Sequence, residues 1–383
     1  MRSACCIGIA NVGGHISRRC CDFHFSTSLN NKDAFLKALE KEIVLRKNYF
    51  GATEKVETIY FGGGTPSLLS QDELMRIFEL IFENYDVSTS AEITLESNPE
   101  DLTKEKIKSL KSTPINRFSI GVQSFFEEDL KFMNRAHTAE RAVSAVKASQ
   151  DSGFENITID LIYGTPSLSN QNWKTNLQTA FELQVKHISS YCLTVEEKTA
   201  LHKMIVSGKV KNVDENKSAE QFEILTEAMQ SNGFLHYEIS NFCKENFHSR
   251  HNSNYWLKEK YVGFGPSAHS YNGTSRQWNV RNNGLYIQSL EENKLLFEFE
   301  NLTTTQNYNE YIMTSLRTIW GTNLKTIESD YGKNYLDYCK QEAQKHIASK
   351  HIEEKESKLF LTSKGKLLAD KIASDLFFID EKN

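Results

Sequence analysis

Four short runs decide the fold of this chain, and they read Gly62-Gly63-Gly64-Thr65-Pro66, Glu96-Ser97-Asn98-Pro99, Gly121-Val122-Gln123-Ser124 and Asp160-Leu161-Ile162-Tyr163-Gly164. Each run begins a loop at the point where a β-branched strand pattern ends. The loops at the carboxyl ends of the parallel strands of a β/α barrel converge on one mouth. The four runs therefore predict a barrel with a single site of cofactor size.

Strand patterns and helix patterns alternate along the first two thirds of the chain. The predicted strands cover residues 58–61, 92–95, 117–120, 157–159, 187–191 and 237–239, with amphipathic helices between them. This order predicts right-handed βαβ units and a parallel sheet. An open doubly wound sheet shares the local pattern but concentrates its site at one switch point. Because every strand ends in a polar residue or glycine, we predict an α/β fold with a partial or full TIM-like β/α barrel over residues 1–285.

The pattern changes after residue 285. An amphipathic helix begins at Tyr311, Lys358–Leu361 forms a short strand, and Thr362 caps a further helix. Helices with a short strand pair predict a small helical, winged-helix-like domain over residues 286–383. The lysines of its last helix are interleaved with aspartates, which favours a solvated face over a nucleic-acid surface.

Composition narrows the class of protein. The chain has 383 residues, 39% of them hydrophobic and 25% charged, with a net charge of −5, so it has no general attraction to nucleic acid or anionic lipid. No apolar run approaches the roughly 18 residues that span a bilayer. The N-terminal apolar stretch is ended early by Asn11, which is too soon for a signal peptide. We expect a cytoplasmic protein whose seven cysteines form no disulfide framework.

The polar residues at the strand ends suggest a ligand. A glycine run after a strand lets backbone amides approach a polar group without a Cβ atom in the way. It is not a Walker A loop, because no Gly-Lys-Ser/Thr follows. Glu96, Gln123, Arg135 and Asp160 have the chemistry to bind the amine, carboxylate and ribose of an amino-acid nucleoside. Singly each is better explained as a structural hydrogen-bonder, but four of them at successive strand ends, or just after, favour a site.

With these motifs the chain resembles the radical S-adenosylmethionine superfamily, in the branch of oxygen-independent coproporphyrinogen III oxidases and the related HemW heme chaperones. The resemblance runs from about Cys21 to the C-terminus and rests on Tyr60-Phe61-Gly62-Gly63-Gly64-Thr65-Pro66-Ser67, Ile120-Gly121-Val122-Gln123-Ser124, Asn134-Arg135-Ala136-His137 and Ile159-Asp160-Leu161-Ile162-Tyr163-Gly164. It implies that the cofactor S-adenosylmethionine is held by Gly63, Gly64, Thr65, Glu96, Gln123, Arg135 and Asp160.

A further run points to the heme chaperones within this branch. His251-Asn252-Ser253-Asn254-Tyr255-Trp256 matches their HNxxYW signature. Neutral imidazole is a good ligand of heme iron, so His251 is the candidate ligand, and the two aromatic residues offer flat apolar surface to a porphyrin. Without the resemblance, a loop histidine satisfied by backbone, with the aromatics in the core, would explain the run better.

The resemblance also implies partners: heme, and a recipient respiratory hemoprotein that can be membrane-associated. It implies neither a nucleic-acid partner nor stable insertion of this chain into a membrane.

The N-terminus departs from the family pattern. Radical S-adenosylmethionine proteins hold a [4Fe–4S] cluster through Cys-x3-Cys-x2-Cys. The corresponding positions of this chain carry Gly14, Arg18 and Cys21, so Cys21 is the one remaining cluster ligand and a normal cluster is not expected for the sequence as written. Either the first 20 residues reflect a decayed or misread gene, or the protein has lost radical chemistry and kept a binding role. The abruptness of the break favours the first explanation.

Three functions stay open at this point. The first is a heme chaperone that binds heme and delivers it to respiratory hemoproteins. The second is an enzyme, a coproporphyrinogen oxidase in which a 5′-deoxyadenosyl radical abstracts hydrogen from a propionate side chain. The third is a cluster-free protein that binds heme or a nucleoside. The HNxxYW run argues against the enzyme, and the missing cysteines argue against it more strongly, because without a cluster no electron is available for reductive cleavage.

Overall fold

The computed structural model describes residues 2–8, 31–51, 53–197 and 199–379. The three positions of the cluster motif, Gly14, Arg18 and Cys21, lie outside the described residues.

A twelve-stranded sheet forms the centre of the molecule. Its strands are β1 (Arg2–Gly8), β2 (Lys55–Gly62), β3 (Val87–Ser97), β4 (Arg117–Gln123), β5 (Asn156–Tyr163), β6 (His187–Cys192), β7 (Leu235–Glu238), β8 (Asn241–Cys243), β9 (Lys260–Phe264), β10 (His269–Tyr271), β11 (Ser275–Asn279) and β12 (Phe297–Asn301). The spatial order is β12-β11-β10-β9-β1-β2-β3-β4-β5-β6-β8-β7. Strands β9 and β1 to β6 are parallel, as the alternation of strands and helices predicts.

Because β12 and β7 each have a neighbour on one side only, the sheet is a partial barrel, and the prediction of a partial or full β/α barrel is confirmed in its partial form. The predicted strand at 237–239 exists as β7 but does not pair with β6. A tight turn after β7 folds β8 back between the two, and β8 pairs antiparallel with both. The predicted run of parallel neighbours therefore ends at β6.

The helices of this part of the chain are α1 (Lys32–Leu45), α2 (Gln71–Asn84), α3 (Lys104–Leu110), α4 (Glu127–Phe132), α5 (Ala139–Asp151), α6 (Asn170–Glu182), α7 (Ala200–Val206), α8 (Glu215–Ser231), α9 (Arg250–Trp256) and α10 (Asn283–Glu291). Helix α9 lies against the interior face of the sheet, where His251 contacts Thr58 and Tyr60. Strand alternation directs the side chains: Ile59 and Phe61 of β2 are fully buried in the apolar core, whereas Thr58 and Tyr60 face the barrel interior. The interior is therefore polar, and the apolar core lies between sheet and helices. No helix among residues 2–8, 31–51, 53–197 and 199–379 is long and apolar enough to cross a membrane.

The C-terminal part has its own apolar core, formed by residues from Tyr308 to Leu376. Five helices, α11 (Thr304–Ser315), α12 (Leu324–Tyr331), α13 (Lys333–Ala348), α14 (Ser363–Lys366) and α15 (Ala369–Asp375), surround a small antiparallel sheet of β13 (Thr322–Asn323), β14 (Ile352–Lys355) and β15 (Lys358–Leu361). The predicted strand and the Thr362 cap are present, and the helical domain is confirmed. The predicted helix start at Tyr311 was wrong, because a capping box of Thr303 and Gln306 starts α11 seven residues earlier, at Thr304. A domain boundary at residue 285 stays a prediction.

Candidate functional site

The carboxyl ends of the parallel strands bring four of the predicted cofactor residues together. Gly63 follows β2 directly, Glu96 lies one residue before the end of β3, and Gln123 ends β4. The predicted strand end before Asp160 was wrong, because β5 continues to Tyr163 and Asp160 lies in its middle. The strands are neighbours in this order. The side chains therefore form a row along one side of the barrel mouth.

Glu96 is tied to the glycine run at the end of β2. Its Oε1 atom accepts the hydroxyl of Tyr60 at 2.7 Å, and its Oε2 atom accepts the backbone N–H of Gly63 at 3.2 Å. Gly63 has φ +79°, a left-handed conformation that favours glycine. A Cβ atom on Gly62 would lie 2.7 Å from the Tyr60 ring and 3.1 Å from Glu96. The glycines thus allow the carboxylate to approach the backbone closely.

The other two residues of the predicted run lie next to it. Gly64 is half-buried, and Thr65 is buried at the start of a short 3₁₀ helix, Pro66–Leu68. The run therefore ends in a buried, ordered turn.

Gln123 and Arg135 converge over Gly121. A Cβ atom on Gly121 would lie 2.8 Å from Nε2 of Gln123 and 3.8 Å from Nη1 of Arg135. Gln123 is buried and has φ +69°, which is unusual for a residue with a side chain. Such backbone strain is concentrated at functional sites. The sequence therefore places an amide and a guanidinium over a glycine at this edge of the mouth.

Asp160 lies in the same electrostatic environment as Glu96. Burial, followed by the negative charge of Glu96, raises the pKa of Asp160 from 3.8 to about 7, although Ser189 and Arg135 act in the opposite direction. Two carboxylates that face one space repel each other, and a cationic ligand between them would relieve the repulsion. This part of the mouth is therefore suited to a positively charged group.

His251 lies at the beginning of α9, deep against the barrel. Its backbone N–H donates to Glu92 Oε1 at 2.9 Å, and the N–H of Arg250 donates to Oε2 of the same carboxylate at 3.1 Å. The ring is 2% exposed and stacks on Tyr60, with ring centroids 4.7 Å apart. Its Nδ1 atom lies 2.9 Å from the hydroxyl of Thr58. Three contacts from two neighbouring strands, β2 and β3, therefore set the position of His251.

The other side of the His251 ring faces β1. Its Nε2 atom lies 3.4 Å from Sγ of Cys6, and the Tyr255 hydroxyl lies 2.6 Å from the same sulfur. Burial, followed by the positive charge of Arg117, lowers the pKa of His251 to about 3, so its imidazole is neutral. Tyr255 is 39% exposed and packs edge-on against His251. Its neighbour Trp256 instead lies under the guanidinium of Arg317.

Tyr60 joins the two groups of predicted residues. Its hydroxyl binds Glu96 and its ring stacks on His251, so the strand-end row and the HNxxYW helix share one cavity wall. Sequence reasoning missed Tyr60, Thr58, Glu92 and Cys6. For Thr58 and Tyr60 the alternation of side chains along a strand could have indicated the site, because polar residues two positions apart in a buried strand lie on the same face.

The metal ligand predicted at Cys21 lies outside the described residues. Within residues 2–8, 31–51, 53–197 and 199–379, no three His, Cys, Asp or Glu side chains converge on a metal-sized space. The five cysteines described there are free thiols: Cys5, Cys6, Cys192, Cys243 and Cys339.

Comparison with known proteins first identifies the superfamily and the fold. The family model of the radical SAM superfamily matches residues 19–180, the part of the chain that contains the glycine run and the strand-end residues. Among solved structures, coproporphyrinogen III oxidase (HemN) from Escherichia coli superposes with a TM-score of 0.83, covering 98% of this chain and 90% of that one at 21% identity. This similarity shows the fold.

The relatives in sequence define the family more narrowly. The heme chaperone HemW of Bacillus subtilis is 34% identical over 356 residues, which cover 92% of this chain and 93% of that protein. The heme chaperone HemW of Mycobacterium tuberculosis strain H37Rv is 31% identical over 361 residues, covering 93% and 90%. The chain belongs to the HemW family within the radical SAM superfamily.

Proposed function

We propose that this chain is a heme chaperone that binds heme beside α9, binds S-adenosylmethionine at the strand ends, and passes the heme to a recipient hemoprotein. The name of the HemW relatives supports the chaperone role. The observation that carries the proposal is the state of His251, a neutral imidazole whose Nδ1 atom is engaged by Thr58. Its Nε2 atom is thereby left as the iron ligand.

Binding of iron at Nε2 requires a local rearrangement. The sulfur of Cys6 lies 3.4 Å from this nitrogen, and the Tyr255 hydroxyl lies against the sulfur. The face of the ring held by Tyr60 and Thr58 need not change. Tyr255 is partly exposed at the mouth, so its side chain can swing outward and offer its ring to a porphyrin.

The strand-end residues fit the chemistry of S-adenosylmethionine. This molecule carries positive charge at its sulfonium and amine and negative charge at its carboxylate. Glu96 and Asp160 supply negative charge, and the guanidinium of Arg135 suits the carboxylate. The bare α-carbons of Gly62 and Gly121 keep the approach to these groups open. When bound there, the cofactor would supply a charged methionine group and an adenosyl group.

A [4Fe–4S] cluster does not fit the residues of this chain. The sequence has Gly14 and Arg18 where the family has cysteines, and no three thiolates remain in the required spacing. We therefore assign no radical step to the chain as written. The proposed function is the binding and transfer of heme, which needs no electron from a cluster.

The coproporphyrinogen oxidase alternative is less well supported. Its fold is the same, but at 21% identity the fold does not discriminate between the two functions. The HNxxYW run and the HemW relatives at 31–34% identity both favour the chaperone. Oxidation of a propionate side chain would also require the cluster that this sequence does not support.

The test is a hemin titration followed by the Soret band. His251→Ala should weaken hemin binding at least about tenfold and shift the band, because the iron loses its nitrogen ligand. His351→Ala, in the C-terminal domain, is the matched control and should leave both unchanged. An unchanged Soret band and affinity in His251→Ala would exclude His251 as the ligand.

A further inference from the structure

Cys6 brings a second metal-binding atom to His251. In β1, Cys6 is paired with Tyr60 of β2 on one side and with Gly263 of β9 on the other. The strand turns its two adjacent cysteines in opposite directions: Cys5 is fully buried in the apolar core, whereas Cys6 is partly exposed and faces the interior beside His251. A thiol on strand β1 and an imidazole on helix α9 therefore meet at the mouth.

The distance between the two atoms suits a chelate. In a tetrahedral zinc site, bonds of about 2.3 Å to sulfur and about 2.05 Å to nitrogen place the two ligand atoms about 3.5 Å apart. The observed separation between Sγ of Cys6 and Nε2 of His251 is 3.4 Å. Ligands on opposite sides of a metal with similar bond lengths would instead be about 4.3 Å apart. The sulfur and the nitrogen therefore suit two adjacent coordination positions of one free metal ion. Heme iron, in contrast, can bind only one of these two atoms.

The imidazole is already oriented for this role. The Nδ1 atom of His251 is hydrogen-bonded to the Thr58 hydroxyl, which itself accepts the amide N–H of Asn254 at 3.3 Å, and this contact turns Nε2 toward the sulfur of Cys6. Glu92 fixes the backbone of His251. Hydrogen bonds that orient a ligating histidine in this way raise the affinity for metal.

The surroundings suit a cation that keeps an open coordination position. The Tyr255 hydroxyl, 2.6 Å from the sulfur, adds a weaker oxygen donor, and the negative charge of Glu96 is close enough to affect Tyr255. Since no third His, Cys, Asp or Glu side chain joins the pair within the described residues, a bound ion keeps an open position. Zinc sites with an open position take water or another exchangeable ligand there.

We propose that Cys6 and His251 form a two-residue clip for a four-coordinate divalent cation of the zinc class. We also propose that such a cation competes with heme for Nε2 of His251, and this second part rests on the heme site proposed above. On binding, the thiol of Cys6 loses its proton to solvent and the neutral imidazole donates its free lone pair. No electron is transferred.

The test is a titration with Co²⁺, an optical probe, under anaerobic conditions. The protein is the full chain with Cys20→Ser and Cys21→Ser, which remove the two thiols outside the described residues. We expect one Co²⁺ per chain, with thiolate-to-cobalt charge-transfer absorption and the visible bands of a tetrahedral ion. Cys6→Ser should abolish the charge-transfer absorption and weaken binding at least about tenfold. Cys5→Ala is the matched control, because it alters the neighbouring cysteine on the opposite face, and it should retain the spectrum.

The outcomes separate the clip from the heme site. Absence of the charge-transfer band, or its persistence in Cys6→Ser, would overturn the clip and leave the heme proposal standing. Loss of the cobalt spectrum in His251→Ala with unchanged hemin binding would support the clip and overturn the heme site. If both proposals hold, Zn²⁺ should weaken hemin binding in the parent protein and not in Cys6→Ser. Equal hemin affinity with and without Zn²⁺ in the parent protein would overturn the competition.

Discussion

The carboxylate of Glu92, near the middle of β3, accepts the backbone N–H of His251 across 2.9 Å. The same carboxylate lies 3.8 Å from the guanidinium of Arg117, which is 1% exposed. Arg117 also bonds Asn156 and Thr158 of β5. One buried ion pair therefore connects the proposed heme ligand to two neighbouring strands of the barrel, so the position of His251 depends on the barrel interior as well as on α9.

Removal of Glu92 should destabilise the fold. Glu92→Ala leaves the charge of Arg117 buried without its carboxylate partner. It also removes the acceptor of the first two N–H groups of α9. We therefore expect the free energy of unfolding to fall by about 3 kcal/mol. Urea denaturation measures it. Glu57→Ala is the control, because Glu57 pairs with the partly exposed side chain of Arg250 and should cost no more than about 1 kcal/mol. Equal losses in the two variants would show that the buried pair has no special role.

The strand pattern was sufficient to predict the barrel. Residues 58–61, 92–95 and 117–120 have β-branched or aromatic runs that end in glycine or polar residues, and the strands formed there are parallel neighbours. Glu96 and Gln123 could be placed at one mouth for the same reason. The inserted strand β8 could not be predicted, because three residues carry too little periodicity to be recognised.

The contacts around His251 lie beyond single-sequence reasoning. Glu92 and His251 are 159 positions apart, and nothing local to either residue indicates that they meet. Cys6 lies 245 positions from His251, and nothing local to it indicates that β1 places the two side chains against each other. Tyr60 lies in the predicted strand over residues 58–61. Its inward direction follows from alternation, but its two partners follow only from the closure of the sheet.

Asp160 should make stability depend on pH. Its pKa is about 7 in the folded protein against 3.8 for the ordinary group, so the folded state holds a proton that the unfolded state releases. Stability is therefore highest below the unfolded pKa and falls as pH rises through about 7, by at most about 4 kcal/mol. Asp160→Asn should remove this slope and raise stability at about pH 8.

Urea denaturation across the same pH range measures the slope. Asp151→Asn, at the exposed end of α5, is the control and should leave the slope as it is in the parent protein. A slope that is equally steep in Asp160→Asn would show that another group is responsible. Binding of S-adenosylmethionine should follow the opposite trend and strengthen above about pH 7, because the ionised carboxylate attracts its positive charge.

The cluster motif provides a prediction from the sequence. Anaerobic reconstitution of the chain as written should yield far fewer than the four irons of a complete cluster, because one thiolate cannot hold it. Gly14→Cys combined with Arg18→Cys restores three thiolates in the family spacing and should recover iron and sulfide. Each single variant is the control and should recover little. Stoichiometric iron and sulfide in the unmodified chain would contradict our interpretation of the N-terminus.

Gly121→Ala should separate cofactor binding from folding. The added methyl group would lie 2.8 Å from Nε2 of Gln123, so the amide must move away from the mouth and from Arg135, and S-adenosylmethionine binding should weaken about tenfold. The contact involves the end of a flexible side chain, so the free energy of unfolding should change by less than about 1 kcal/mol.

Calorimetric titration measures cofactor binding by Gly121→Ala, and urea denaturation measures its free energy of unfolding. Gly51→Ala, where the new atom meets nothing closer than 3.7 Å, should change neither. If Gly121→Ala binds the cofactor as the parent protein does, Gln123 and Arg135 do not contact it, and the site must be restricted to Glu96, Asp160 and the glycine run.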